Sequence, residues 1–126
     1  MLIRSLKDCP DFTAGDGSRL RELLNAGKGP FAFRYSLAHA VVRPGEATQP
    51  HALKSSEVYY ILEGRGEMHI GNESAGVFAG DAVDIPPHAT QYIANTGPTD
   101  LVFLCIVDPA WKKEDEILTH RAGETA

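Results

Sequence analysis

The chain has 126 residues, 43% of them apolar, and carries a formal net charge of -5 from 12 Lys and Arg against 17 Asp and Glu. This length and composition fit a single domain with a hydrophobic core of its own. The acidic balance and the lack of a basic cluster argue against nucleic-acid and membrane-surface partners, which need a positive patch. The composition therefore favours a small-molecule ligand or substrate as the partner.

The ends of the chain and its cysteines bear on its location. The first residues lack the apolar core of a signal peptide, and the longest apolar run, residues 101–107, is too short to span a bilayer. We therefore expect a cytoplasmic protein. Cys9 and Cys105 fit neither a disulfide framework nor a CxxC metal motif. Cys105 lies within the apolar run and is expected to be a small buried residue.

The N-terminal third is predicted to form strands. Residues 19–24 could begin a short helix after Asp16 or Ser18, but glycines on both sides leave room for only six or seven residues, which favours a strand. Residues 31–42 are predicted to form a longer strand, which places His39 on the same face as Leu37 and Val41. Pro44 follows and ends this strand.

Residues 45–64 carry the most informative pattern. Two extended segments around a polar turn at residues 54–56 would place His51, Leu53, Glu57, Tyr59 and Ile61 on one face, because strand side chains alternate with period two. One imidazole and one carboxylate would then share an apolar interior. A buried charge without a partner is costly, so this pair requires either mutual contact or a cation.

The rest of the chain is predicted to continue as short strands. Residues 67–70 and 74–78 flank Gly71 and Asn72, which favours a hairpin, and strands are expected at residues 82–85, 91–95 and 100–107. Turn signals recur about every eight to twelve residues without a long helical period, which is typical of an all-β sandwich or barrel. One or two helical turns are expected within residues 111–118, and a frayed tail over residues 119–126.

The strand at residues 101–107 is apolar on both faces. Its outer face must therefore be covered, either by the N-terminal strands or by a second subunit, because large exposed apolar patches are rare on soluble monomers. We expect a homodimer.

Two motifs resemble those of a known family. The spacing of Gly45, His51, Leu53, Glu57 and Gly64 is similar to the first signature of the cupin superfamily, in which a second His stands where this chain has Leu53. The second signature is matched by a Gly, a Pro and an Asn, at positions 80, 86 and 95. At the places of its next Gly and of its metal-binding His stand His88 and Gln91.

The resemblance implies a fold, a division of the chain and a site. It implies an all-β cupin double-stranded β-helix, a jelly-roll-like barrel, over residues 36–108, with N-terminal strands and turns in residues 1–35 that pack on the barrel or a partner subunit, and a C-terminal tail in residues 109–126. Family metal ligands carried over by position fall on His51, Glu57 and Gln91, while Leu53 cannot coordinate. Ureidoglycine aminohydrolases, which are also cupins, use a Gln at the place of Gln91 as a manganese ligand.

Several functions remain open at this stage. One imidazole, one carboxylate and one amide oxygen suit one Mn(II), Fe(II) or Zn(II) per subunit with open coordination positions, as a metal-dependent enzyme acting on a small polar metabolite requires. Tyr59 and His88 are the candidates for assisting proton transfer, although His88 could instead lie on a surface turn. Alternatively, His51 and Glu57 pair with each other. The barrel would then be a non-catalytic binding or sensing domain, or a metal-independent isomerase like the sugar-nucleotide epimerases.

Overall fold

The computed structural model describes residues 1–119, and these residues are built almost entirely from strands. Three short 3-10 helices span Leu6–Asp8, Ala26–Lys28 and Lys113–Asp115. No helix within this range is long and apolar enough to cross a membrane. The strands are β1 (Phe12–Thr13), β2 (Arg19–Asn25), β3 (Ser36–Val42), β4 (His51–Leu53), β5 (Ser56–Glu63), β6 (Arg65–Ile70), β7 (Glu73–Phe78), β8 (Ala82–Ile85), β9 (Gln91–Asn95), β10 (Leu101–Asp108) and β11 (Glu116–Leu118).

The strands form two antiparallel sheets that face each other. The first sheet has the order β1-β2-β3-β10-β5-β8, and the second has the order β11-β4-β9-β6-β7. Both the first and the last strands of the described chain join these sheets, because β1 and β2 extend the first sheet beyond β3 and β11 pairs with β4. The predicted all-β barrel is confirmed.

The core lies between the two sheets, where alternate residues of each strand point inward. In β3 the buried positions are 36, 38, 40 and 42, and in β5 they are 57, 59 and 61. The largest buried apolar side chains from the two sheets, among them Tyr59, Phe103 and Ile93, pack on one another. Tyr59 and Phe103 are in direct ring contact, with centroids 4.5 Å apart. This apolar core fills one end of the barrel and leaves the other end for polar groups.

Most of the local predictions are confirmed. Residues 19–25 form a strand and not a helix, and the Asn25 side chain caps the following turn by accepting from the Gly27 N–H at 2.8 Å. The hairpin has a two-residue turn, with Ile70 opposite Glu73 and Gly71 at φ 57. The five odd-numbered residues predicted to share a face, from His51 to Ile61, are all buried.

The strand predicted to start at residue 31 begins only at Ser36. The rings of Phe31, Phe33 and Tyr35 stack on one another with centroids 5.0 and 4.8 Å apart, and this aromatic stack replaces strand pairing. Alternating aromatic residues have a high strand propensity. They support a strand only where a neighbouring strand offers hydrogen bonds, and none of the paired registers in residues 1–119 reaches residues 31–35.

The prediction of helical turns over residues 111–118 is wrong in its second half. A single 3-10 turn forms at Lys113–Asp115, and then Glu116–Leu118 pairs with β4 as a strand. The open edge of β4 supplies backbone partners that a helix of this length could not match. Thr119, the first residue of the predicted frayed tail, is held in place because its N–H donates to the Pro50 carbonyl at 2.8 Å, and the rest of that predicted tail lies outside the described residues.

Candidate functional site

Four polar side chains meet in the interior where the two sheets approach each other. His51 and Gln91 are opposite each other in the β4–β9 pair, while Glu57 and Tyr59 lie on the inner face of β5 in the other sheet. All four are buried. We call these four residues the polar cluster. Their positions follow from strand alternation, which sends every second residue of β4, β5 and β9 inward.

The Gln91 amide is the centre of the polar cluster. Its Nε2 lies 2.9 Å from His51 Nε2 and donates to Glu57 Oε1 at 2.8 Å. Its Oε1 accepts from the Tyr59 hydroxyl at 3.1 Å. The amide on β9 thus links an imidazole on β4 with a carboxylate and a phenol that both lie on β5.

The contacts of His51 show which of its two ring nitrogens carries the proton. Its Nδ1 lies 2.8 Å from the Gln49 carbonyl oxygen, which can only accept, so Nδ1 carries the proton. Nε2 is then the unprotonated nitrogen, and it accepts from the Gln91 amide. This tautomer directs Nε2 into the polar cluster, and an imidazole coordinates a metal through a nitrogen placed in this way.

The Glu57 carboxyl group is in an environment that disfavours its charge. Burial, followed by the nearby carboxylates of Asp16 and Glu116, raises the pKa of Glu57 to about 8, although the bond from Gln91 acts in the opposite direction. Glu57 is therefore mostly protonated at neutral pH when no cation is nearby. Burial and the adjacent Glu57 also raise the pKa of Tyr59 well above its usual range, so its hydroxyl keeps its proton and acts as a donor.

A cavity of about 250 Å³ opens beside the polar cluster. His51, Glu57 and Tyr59 line it on one side, and apolar side chains such as Leu20 and Phe103 line it on another. The volume lies just below the range of about 300–1,000 Å³ that is usual for ligand sites in proteins, which suits a small ligand. A cavity with apolar walls and a few convergent polar groups is the usual form of a small-molecule site.

Three residues that complete this cavity were missed by sequence reasoning. Asp16, Trp111 and Glu116 line it, and we call these three residues the flanking wall. Asp16 Oδ1 accepts from the N–H and the hydroxyl of Ser18 at 3.0 and 2.7 Å, and Asp16 Oδ2 lies 3.9 Å from His51 Nε2. The Trp111 indole N–H donates to Glu116 Oε2 at 2.9 Å. No sequence signal marks these residues, because only the pairing of the two chain ends with the barrel brings them to the cavity.

The remaining candidates lie elsewhere. His88 is exposed, has a positive φ of 67, and does not line the cavity, so its role in proton transfer stays a prediction. His39 is half-buried on the outer face of the first sheet beside Arg21, and burial followed by the Arg21 charge lowers the pKa of His39. Cys105 is partly exposed and not fully buried because its side chain faces the cavity.

The donor atoms of the polar cluster allow a test of whether it suits a metal. Within residues 1–119 no group of three or more His, Cys, Asp or Glu is arranged to hold an ion, so a third side-chain donor has to come from another residue type. His51 Nε2 and Glu57 Oε1 both face the Gln91 amide through its nitrogen. Rotation of the Gln91 amide would turn its oxygen toward the other two donors. Tyr59 would stay bonded to it, because a hydroxyl both donates and accepts. The set therefore fits a divalent ion with three protein donors.

The fold and site define a small barrel with a polar interior, and comparison identifies its family. The model of the cupin domain family matches residues 38–107, so the chain belongs to the cupin family. An uncharacterized protein of Methanocaldococcus jannaschii is 46% identical over 107 residues, which cover 82% of this chain and 83% of that protein. An oxalate-binding protein of Thermotoga maritima is 35% identical over 65 residues, 51% of this chain and 54% of its own.

Solved structures show the same fold. A predicted oxalate decarboxylase of Thermotoga maritima superposes with a TM-score of 0.74 at 23% identity, covering 86% of this chain and 99% of that one. The formate complex of Lactobacillus farciminis oxalate decarboxylase gives a TM-score of 0.75 at 24% identity, covering 89% of this chain but only 34% of that enzyme. At these identities the similarity shows the barrel and not a shared reaction.

Proposed function

We propose that this protein is a metal-dependent cupin that acts on a small polar metabolite, with His51, Glu57 and Gln91 as ligands of one divalent ion such as manganese, iron or zinc. The observation that carries the proposal is the convergence of these three side chains from three strands. His51 Nε2 and Glu57 Oε1 lie 2.9 and 2.8 Å from the amide nitrogen of Gln91. One imidazole nitrogen, one carboxylate oxygen and one amide oxygen form a mixed donor set that suits these ions.

The surrounding residues prepare this site. The Gln49 carbonyl fixes the His51 tautomer so that the unprotonated Nε2 faces the other donors. Tyr59 keeps its proton and donates it to the Gln91 amide; once that amide is rotated for metal binding, the Tyr59 oxygen accepts from the amide nitrogen and its proton is free for a bound ligand. A metal held there would supply a Lewis acid beside the cavity. Leu53 adds no donor, so only three positions come from the polar cluster.

Oxalate is not carried over from the relatives that are named for it. Asp16 and Glu116 place two formal negative charges on the cavity wall, and a dianion would be repelled by both. The small polar metabolite is therefore proposed without this identity.

Metal analysis of the purified protein beside its chelator-treated form tests the proposal. We expect stoichiometric metal in the wild type, loss of metal in His51→Ala, and weaker binding in Gln91→Ala, because a neutral oxygen contributes less than a basic nitrogen. Leu53→His should tighten binding, since Leu53 is buried beside the cavity and a His there would add a donor. Lys54→His, at the neighbouring exposed position, is the matched control and should change nothing.

A second candidate function is favoured by a specific observation. Every buried side-chain nitrogen and oxygen within residues 1–119 has a hydrogen-bond partner, so the polar cluster is satisfied without an ion. The barrel could then bind its ligand, or perform acid/base chemistry, with no metal. If the wild type and Leu53→His both stay free of metal after incubation with manganese, iron, nickel and zinc, the metal proposal fails and this candidate replaces it.

A further inference from the structure

The cavity is lined by more acidic residues than the polar cluster contains. Four carboxylate residues line the cavity, namely Asp16, Glu22, Glu57 and Glu116, against one lysine, Lys28. Lys28 forms an ion pair with Glu22. The positive charge on the lining is therefore already matched, and the flanking wall keeps its two negative charges.

Neither carboxylate of the flanking wall is paired with a lysine or arginine within residues 1–119. Asp16 accepts from Ser18, and Glu116 accepts from the Trp111 indole, both neutral groups. The imidazole of His51 is 3.9 Å from Asp16 Oδ2, beyond hydrogen-bond distance, and its Nε2 pairs with the Gln91 amide. Glu116 also reaches the backbone next to Asp16, since a Cβ built on Gly15 would lie 3.1 Å from Glu116 Oε1, so both carboxylates belong to the same side of the cavity wall.

We infer that the cavity takes a small ligand with a positively charged nitrogen, an ammonium or guanidinium group, which lies between Asp16 and Glu116. This inference rests on the proposed use of the barrel interior as a ligand site and names the chemical class of the ligand. The enclosing walls support it, because the cavity combines the two carboxylates with aromatic side chains, Trp111, Tyr59 and Phe12. Aromatic faces attract cations, and paired carboxylates bind ammonium groups through charge-assisted hydrogen bonds.

The aliphatic part of such a ligand also has a place. Leu20, Phe103 and Val107 line the cavity and offer apolar contacts to a short carbon chain. The other end of the ligand would meet the Tyr59 hydroxyl, whose oxygen can still accept a hydrogen bond from a polar group. The cavity therefore matches a short molecule with a cationic nitrogen at one end and a polar function at the other.

Trp111 gives a direct measurement of occupancy, because it is the one tryptophan in the sequence and lines the cavity. Chelator-treated protein is titrated at constant ionic strength with n-butylammonium, n-butanol and butyrate, which share a four-carbon chain and differ in charge. Trp111 fluorescence should change saturably with n-butylammonium and much less with the other two. Asp16→Asn and Glu116→Gln should each weaken n-butylammonium binding about tenfold or more, the effect of losing one charge-assisted hydrogen bond.

Glu114→Gln is the matched control, since Glu114 is an exposed acid on the 3-10 turn just before β11 and lies outside the cavity lining. It should bind n-butylammonium like the wild type. Equal or tighter binding of butyrate would overturn the inference while leaving the barrel a ligand site, and unchanged binding in both cavity variants would overturn it as well. No response to any of the three probes would also reject it. Metal analysis of the same protein preparation, done separately, decides the metal proposal.

Discussion

The polar cluster and the flanking wall face the same cavity but have different origins. His51, Glu57, Tyr59 and Gln91 lie on strands inside residues 38–107, the range that the cupin family shares. Asp16 and Glu116 lie outside that range, one in a turn after β1 and the other at the start of β11. In the proposed function, the barrel that the family model covers supplies the metal ligands, while segments outside that match supply the charges proposed to select the ligand.

The largest expected effect couples the two regions through Glu57. A raised pKa means that folded Glu57 still holds its proton at a pH where the unfolded chain has released it. Stability should therefore be highest at or below the ordinary carboxyl value of 4.5 and should fall as pH rises from there to about 8. The contribution of Glu57 to this fall is about 1.4 kcal/mol for each pH unit. Urea unfolding of chelator-treated wild type and Glu57→Gln at pH 5, 7 and 9 would measure it.

Glu57→Gln should remove this contribution, so that its stability relative to wild type rises between pH 5 and pH 9. Asp16→Asn sharpens the comparison. Of the two neighbouring carboxylates that raise the Glu57 pKa, Asp16 has the larger effect, and this change removes its charge. The fall in stability should then end at a lower pH than in wild type. Parallel pH profiles for wild type and Glu57→Gln would show that Glu57 is not held in its protonated form.

The sequence predicted the polar cluster well because its signal is local. Period-two alternation placed His51, Glu57 and Tyr59 on one inner face, and the cupin resemblance added Gln91 on a strand far along the chain. The same rule wrongly predicted a strand at residues 31–35, where aromatic residues stack on one another and do not pair with a neighbouring strand. Local pattern shows that a strand is favoured, but only a neighbouring strand lets it form.

The flanking wall could not be predicted for a related reason. Asp16 lies between Gly15 and Gly17 and looked like any polar turn residue. Glu116 was assigned to helical turns, yet it pairs with Leu53 of β4. Both reach the cavity through backbone hydrogen bonds between residues that are far apart in the sequence. Local sequence patterns cannot predict such contacts.

The second prediction tests the shared barrel on its own. Gly64 has a φ of +82, and a Cβ there would lie 2.5 Å from the backbone oxygen of Asp100. Gly64→Ala should therefore destabilise the protein by about 3 kcal/mol or more, because backbone strain and a steric clash add. Gly45→Ala is the control, since its φ of +79 is similar but nothing lies within 4 Å. It should cost only about 1 to 2 kcal/mol in urea unfolding, and equal losses would contradict the clash.

The third prediction concerns the outer face of the same barrel. Tyr60, Leu62 and Ile106 are 41%, 39% and 38% exposed on neighbouring strands β5 and β10. Ile106 lies in the apolar strand at residues 101–107, whose outer face led us to expect a homodimer. Sedimentation should show a dimer at micromolar concentration. Ile106→Glu should dissociate it, whereas Phe78→Glu, on the exposed side of β7, should not. A wild-type species near 13.7 kDa would refute the dimer.

The smallest expected effect is on the stability contributed by the flanking wall. Glu116→Gln keeps an acceptor for the Trp111 indole and removes a charge that opposes ionised Glu57. Its effect on unfolding free energy should therefore stay below about 1 kcal/mol. Above pH 8, where Glu57 loses its proton, the change should become stabilising, because removal of the Glu116 charge relieves a repulsion. A loss of several kcal/mol in urea unfolding would mean that Glu116 holds β11 in place, and the division between a structural barrel and a ligand-selecting wall would not hold.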